Sequence, residues 1–135
     1  MHFYQVKITK HLSERNFLWL AITWTGLITV ASLVSFNSVP KVNIPGNDKV
    51  VHFLFYSVFV ILWSFALLKS YFKLKYDFLI VVFAISYGMI IEVLQDVLTQ
   101  TREADFYDVL ANSLGALVGF VGLYCVKNKI FSKFF

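Results

Sequence analysis

Apolar residues run along this chain in long blocks, with polar residues gathered between them. Four blocks stand out, at about residues 17–36, 50–68, 78–98 and 109–126. Each is close to the roughly 20 residues that a helix needs to cross a bilayer. The first contains no charged residue, and the second contains His52 near its start. The third carries Glu92 and Asp96, and the fourth is rich in Gly and Ala. Short connections favour antiparallel neighbours. The pattern therefore predicts an all-α integral membrane bundle of four transmembrane helices. Residues 1–16 form an N-terminal tail, 17–126 the membrane domain, and 127–135 a basic C-terminal tail. The first connection, "NSVPKVNIPGND", holds both prolines and is expected to be irregular. The first apolar run is longer than the core of a signal peptide, and no A-x-A-type site follows it. It reads as a retained span.

Composition supports this. The chain of 135 residues is 59% hydrophobic and only 15% charged, whereas soluble domains run near 25% charged. Fifteen Phe residues would leave a soluble globule of this size with apolar surface it could not hide. The formal net charge of +4 is distributed in a way that topology explains. Nine of the twelve Lys and Arg residues fall before the first span, between the second and third, and after the fourth. Lys41, Lys49 and Arg102 fall on the other side. The positive-inside rule then places both termini in the cytoplasm. A nucleic-acid partner is not expected, because the lysines flank apolar runs. The single cysteine, Cys125, excludes a disulfide within the chain and reads as a lipid- or helix-facing residue.

The polar residues inside and beside the spans share faces. Asp48, His52 and Tyr56 are spaced by four at the start of the second span. Glu92, Gln95 and Asp96 follow spacings of three and four late in the third. Asp105, Asp108 and Asn112 do the same at the start of the fourth, and lead into Gly115 and Gly119. That G-x-x-x-G pair lets another helix approach closely, within the chain or in a second copy. With the predicted topology, three helix ends deliver polar groups to one level at the outer leaflet. An intramembrane carboxylate marks a functional site by default, and His52 and Arg102 are the cations available to Glu92. Simpler roles also fit some of these residues. Asp48 suits a helix N-cap, Lys49 suits a snorkelling interface residue, and Asp105 or Asp108 suits the cap of the fourth helix. The Trp and Tyr residues suit belt and packing positions.

The ordered set "DKVVHFLFY", "EVLQ" and "READFYDVLANSLG" resembles the VanZ-like family of small bacterial membrane proteins. The likeness covers about residues 17–126. Carried onto this chain, it implies the family's polar positions at Asp48, Lys49, His52, Glu92, Gln95, Arg102, Asp108 and Asn112, with Gly115 in the same pattern, and the polar ones are the expected ligand-binding residues. Asp96 and Asp105 look like additions to it. The family's named member gives low-level resistance to teicoplanin, a lipoglycopeptide. Placement in the bacterial cytoplasmic membrane follows from the resemblance.

Three readings follow. The favoured one is a non-enzymatic protein that binds a membrane lipid, a lipid-linked cell-wall intermediate or a lipoglycopeptide at the outer leaflet. The second is a membrane-embedded hydrolase or transferase acting on a lipid phosphate or ester. His52, Glu92 and Asp108 would be its candidate catalytic residues, and Arg102 would stabilise developing charge. Against it, the chain has no G-x-S-x-G and no H-E-x-x-H or H-x-x-E-H spacing. No cofactor is expected. His52, Glu92 and Asp108 suit a metal by residue type, but their spacing matches no metal motif, so no metal site is expected either. The third reading, a small transporter or proton pathway, would need an oligomer through the Gly115/Gly119 face.

Overall fold

The computed structural model describes residues 2–34, 47–67, 74–99 and 104–134, with side chains over 15–34, 47–67, 75–99 and 104–126. The described residues form four helices: α1 (His2–Leu33), α2 (Asn47–Ala66), α3 (Leu74–Leu98) and α4 (Phe106–Phe134). All four are long and apolar enough to cross a membrane, as the apolar blocks predict. The helices extend beyond those blocks. The 32 residues of α1 span about 48 Å at 1.5 Å per residue, well over the bilayer core of about 30 Å. Residues 2–16, expected as a tail, continue the helix of the first span, and residues 127–134 continue α4.

α2 touches all three other helices and packs most extensively on α4. α3 also meets α1 and α4, whereas α1 and α4 make no direct contact among the described residues. The bundle is therefore a four-cornered arrangement with α2 and α3 along its short diagonal. Its core is built from Ile28, Tyr56, Phe59, Val60, Val81 and Ala116, with other small or branched residues around them. The exterior is apolar: Trp19, Val30, Leu54, Phe83, Val97 and Val118 are all exposed. Conversely, Ser32, His52, Glu92, Gln95, Asp108 and Asn112 are buried. A soluble domain hides its apolar residues and exposes its charges. This bundle instead adds an apolar exterior to its apolar core and encloses several polar groups, as a chain solvated by lipid should.

Hydrogen bonds tie α1 to the rest. The Trp24 indole donates to the Phe55 carbonyl at 3.0 Å, and Trp63 donates to the Thr25 hydroxyl at 3.1 Å. Thr29 and Tyr87 share a hydroxyl contact of 2.6 Å. Gln95 donates to the Ser32 carbonyl at 3.0 Å. Such bonds average only about 0.6 kcal/mol in membranes, so close packing carries more of the association. The closest packing lies between α2 and α4. A Cβ on Gly115 would collide with the Phe53 backbone, and one on Gly119 would lie 2.6 Å from the Ser57 carbonyl oxygen. The Ser57 hydroxyl seals this contact by donating to the Gly115 carbonyl at 2.9 Å. Within the chain, this glycine face is packed against α2.

This contact yields a test. Gly115→Ala should destabilise the bundle by about 1–3 kcal/mol through overpacking. A Cβ on Gly122 meets nothing within 4 Å, so Gly122→Ala should be neutral or stabilising by up to about 1 kcal/mol. Thermal melts of both variants in one detergent compare them directly, and equal effects would contradict the assigned packing.

Candidate functional site

The α2–α4 contact sets the register of what lies one to three turns beyond it. On α2, Lys49, His52 and Tyr56 follow one another at helical spacing, with His52 and Tyr56 buried. On α4, Asn112 and Asp108 continue the glycine face towards the helix start. On α3, Gly88 and Glu92 present the third wall. The three helices bring their polar groups together at the end of the bundle where α2 and α4 begin and α3 finishes. Side-chain exposure falls steadily inward, from 58% at Asp48 and 35% at Lys49 to 9% at His52 and 3% at Glu92.

Lys49 forms the outer layer. Its ammonium donates to Asp105 at 2.8 Å, and to Asp48 and Asp108 at 3.2 Å each. Asp105 also caps α4, accepting from the Tyr107 N–H at 2.8 Å. The Lys49 ammonium, helped by that N–H, holds the Asp105 carboxyl below its ordinary value of 3.8. Asp48, a candidate N-cap by sequence, lies one residue inside α2, which begins at Asn47. It sits in the first turn of α2 and shares Lys49.

The inner layer centres on His52. Its Nδ1 lies 3.0 Å from the Asn112 amide oxygen and 3.7 Å from Glu92 Oε1. Its Nε2 faces Asp108 Oδ2 at 3.9 Å. Glu92 and Asn112 are almost wholly enclosed, at 2% and 1% exposure. Neither Glu92 oxygen nor the Asn112 amide nitrogen has a partner of good hydrogen-bond geometry among the described residues. One ligand atom each from His52, Glu92 and Asp108 lies within 4.8 Å of the other two.

Beneath the cluster, Gly88 makes room. A Cβ there would stand 3.1 Å from the Asn112 amide nitrogen and 3.2 Å from the Tyr56 ring. Tyr56 closes the floor, and its hydroxyl has no partner among the described residues. Phe59 and Tyr87 stack below it, with centroids 5.7 Å apart and planes 17° apart.

Of the residues expected to line a pocket, Asp48, Lys49, His52, Glu92, Asp108 and Asn112 come together here. Gln95 is buried on the neighbouring turn but spends its amide on Ser32 of α1, so it braces α3 instead of facing His52. Arg102 lies outside the described residues. Asp105, read from sequence as an addition to the pattern, is an integral partner of Lys49. Its three-residue spacing to Asp108 was the available signal. Asp96 stays exposed, and its carboxylate accepts a long 3.4 Å bond from the Ala104 N–H.

The outer layer makes a pH-dependent contribution of predictable sign. Asp105 has a lowered folded-state pKa, so its stabilisation is present above the ordinary carboxylate range and is lost as pH falls through the lowered value. Lys49→Met should therefore melt below the wild type at pH 7, and the gap should narrow below about pH 4 as its partners protonate. Melting curves of both proteins from pH 7 to pH 3 measure this. A gap that is constant with pH would show that Lys49 acts through packing alone.

Comparison with known proteins agrees with the resemblance seen in the motifs. Residues 4–128 match the model of the family described as VanZ/LLP1, and they include every residue of the cluster. No curated protein and no solved structure matches the chain. The match spans nearly all of the sequence, and the bundle has the four spans that the motif order implied. The chain belongs to the VanZ/LLP1 family and is a multi-pass membrane protein.

Proposed function

We propose that this protein binds the polar head of a membrane amphiphile in the cluster around His52 and Glu92, at the outer leaflet. The observation that carries the reading is Glu92, a carboxylate 2% exposed, with both oxygens unpartnered among the described residues. A buried polar group without a partner costs about 1–3 kcal/mol, and more when charged. A head group that donates hydrogen bonds offsets that cost. The surroundings suit the rest of an amphiphile. Val50, Val93, Val97, Phe106 and Leu110 are exposed apolar residues on the same helix segments, and acyl chains can lie against them. The positive-inside distribution supports the outer leaflet. Arg102 is the candidate for a phosphate or carboxylate, because its planar fork matches both. The ligand class spans membrane lipids, lipid-linked envelope intermediates and lipoglycopeptides such as teicoplanin, so a role in resistance is one form of the same activity.

A second reading draws on His52, which stands between two carboxylates. A histidine with Asp108 on one side and Glu92 on the other has the parts for general acid–base work on a lipid phosphate or ester.

One experiment separates the two readings. Wild-type protein and Glu92→Gln, purified in mild detergent, are incubated with a bacterial lipid extract, and the retained lipids are identified by mass spectrometry. The binding reading predicts that the wild type keeps one lipid class intact, and that the variant keeps at least tenfold less. Conversion of a lipid by the wild type alone would replace binding with catalysis. Equal retention by both proteins would remove Glu92 from the function.

A further inference from the structure

The described cluster contains four carboxylates (Asp48, Glu92, Asp105 and Asp108) and one ammonium, Lys49, which already contacts three of them. Lys49 meets Asp108 through Oδ1. Oδ2 of the same carboxylate points instead towards His52 Nε2, 3.9 Å away, too far for a hydrogen bond. The short contact of His52 is from Nδ1 to the Asn112 amide oxygen, at 3.0 Å. With Nδ1–H donating there, Nε2 presents a lone pair to a carboxylate oxygen. That nitrogen and the Asp108 oxygen are both potential ligand atoms facing each other at 3.9 Å. Glu92, deeper still, has both oxygens unpartnered among the described residues.

We infer that His52, Glu92 and Asp108 form a binding site for one divalent cation of the Zn²⁺ or Mn²⁺ class. The donor set of one imidazole and two carboxylates suits those ions better than Ca²⁺ or Mg²⁺, which take oxygen alone. One donor atom from each residue lies within 4.8 Å of the other two. Ligands bound at about 2.0–2.2 Å stand roughly 3.3–4.4 Å apart around one ion, so small side-chain rotations gather the three donors. The Asn112 amide oxygen fixes the ring of His52 from behind, the usual outer partner of a metal-bound histidine. Gly88 leaves the space that keeps Asn112 in place. Three protein ligands leave coordination positions open, where a phosphate or carboxylate oxygen can bind. The ion therefore supplies positive charge beyond the Lys49 ammonium, which is already engaged by three carboxylates, for an anionic head group, and this last step rests on the head-group reading above.

Metal binding is tested without lipid, so its failure and the failure of head-group binding are separate results. Tag-free full-length protein in detergent is stripped with a chelator and dialysed against Zn²⁺ or Mn²⁺, and bound metal is counted by mass spectrometry. About one ion per chain is expected, with affinity at least tenfold weaker in His52→Ala, Glu92→Gln and Asp108→Asn. Ser86→Ala, on the outer face of α3, should bind as the wild type does. Because a substituted chain can fail to fold, Co²⁺ is also added to the wild type, where visible absorption bands report a mixed nitrogen–oxygen site. A folded wild type that binds well under one ion per chain overturns the site. So does binding that survives all three substitutions, or a Co²⁺ spectrum identical to that of the free ion.

Discussion

In a bilayer, apolar side chains gain little by meeting one another instead of lipid, so helices associate where their backbones can come close. Here that place is Gly115 and Gly119 of α4 against Phe53 and Ser57 of α2. The rest of the polar architecture depends on it. Once these backbones touch, the helical repeat carries Asn112 and Asp108 upward on one side, and His52 and Lys49 on the other. They meet because the same two faces continue. α3 then closes the space, placing Gly88 and Glu92 opposite, and the α1 contacts through Trp24, Tyr87 and Gln95 hold the outer corner.

The cluster is graded in a physically sensible way. Its outer layer, Lys49 with Asp48 and Asp105, keeps contact with water and pairs opposite charges at modest cost. Its inner layer gives up solvent and gains few partners in return. A buried carboxylate with no hydrogen bond is expensive wherever it occurs, and membrane insertion adds to that cost. Folding alone gives no reason to place Glu92 there, because an apolar residue of similar size would pack without penalty. A ligand gives one. Whether it is a head group, a cation or the two together, the site has the acceptors, the enclosure and the apolar surroundings to hold it.

Much of this was legible in the sequence, for reasons that can be named. Span number and approximate position followed from block hydropathy, which depends only on bilayer thickness. The meeting of His52, Glu92, Asp108 and Asn112 followed from helical spacing once the spans were antiparallel. The partner of the Gly115/Gly119 face did not follow, because a small-residue stripe does not say which helix fills it. Gln95 shows the same limit. It has the spacing of a pocket residue, but its long side chain reaches Ser32 on α1, and no periodicity encodes that choice. Asp105 was passed over because a cap and an ion-pair partner look alike in one dimension. The helical extensions at 2–16 and 127–134 were missed because polar residues beyond a membrane surface can continue a helix as readily as end it.

The central claim is that His52 and Glu92 serve one ligand as a unit. A double-mutant cycle on lipid retention tests it most directly, with His52→Gln, Glu92→Gln and the combined variant measured beside the wild type. If the two residues act together, the combined variant should retain no less lipid than the weaker single variant. Losses that multiply independently would mean that the two residues act at separate places, and the cluster would not be one site.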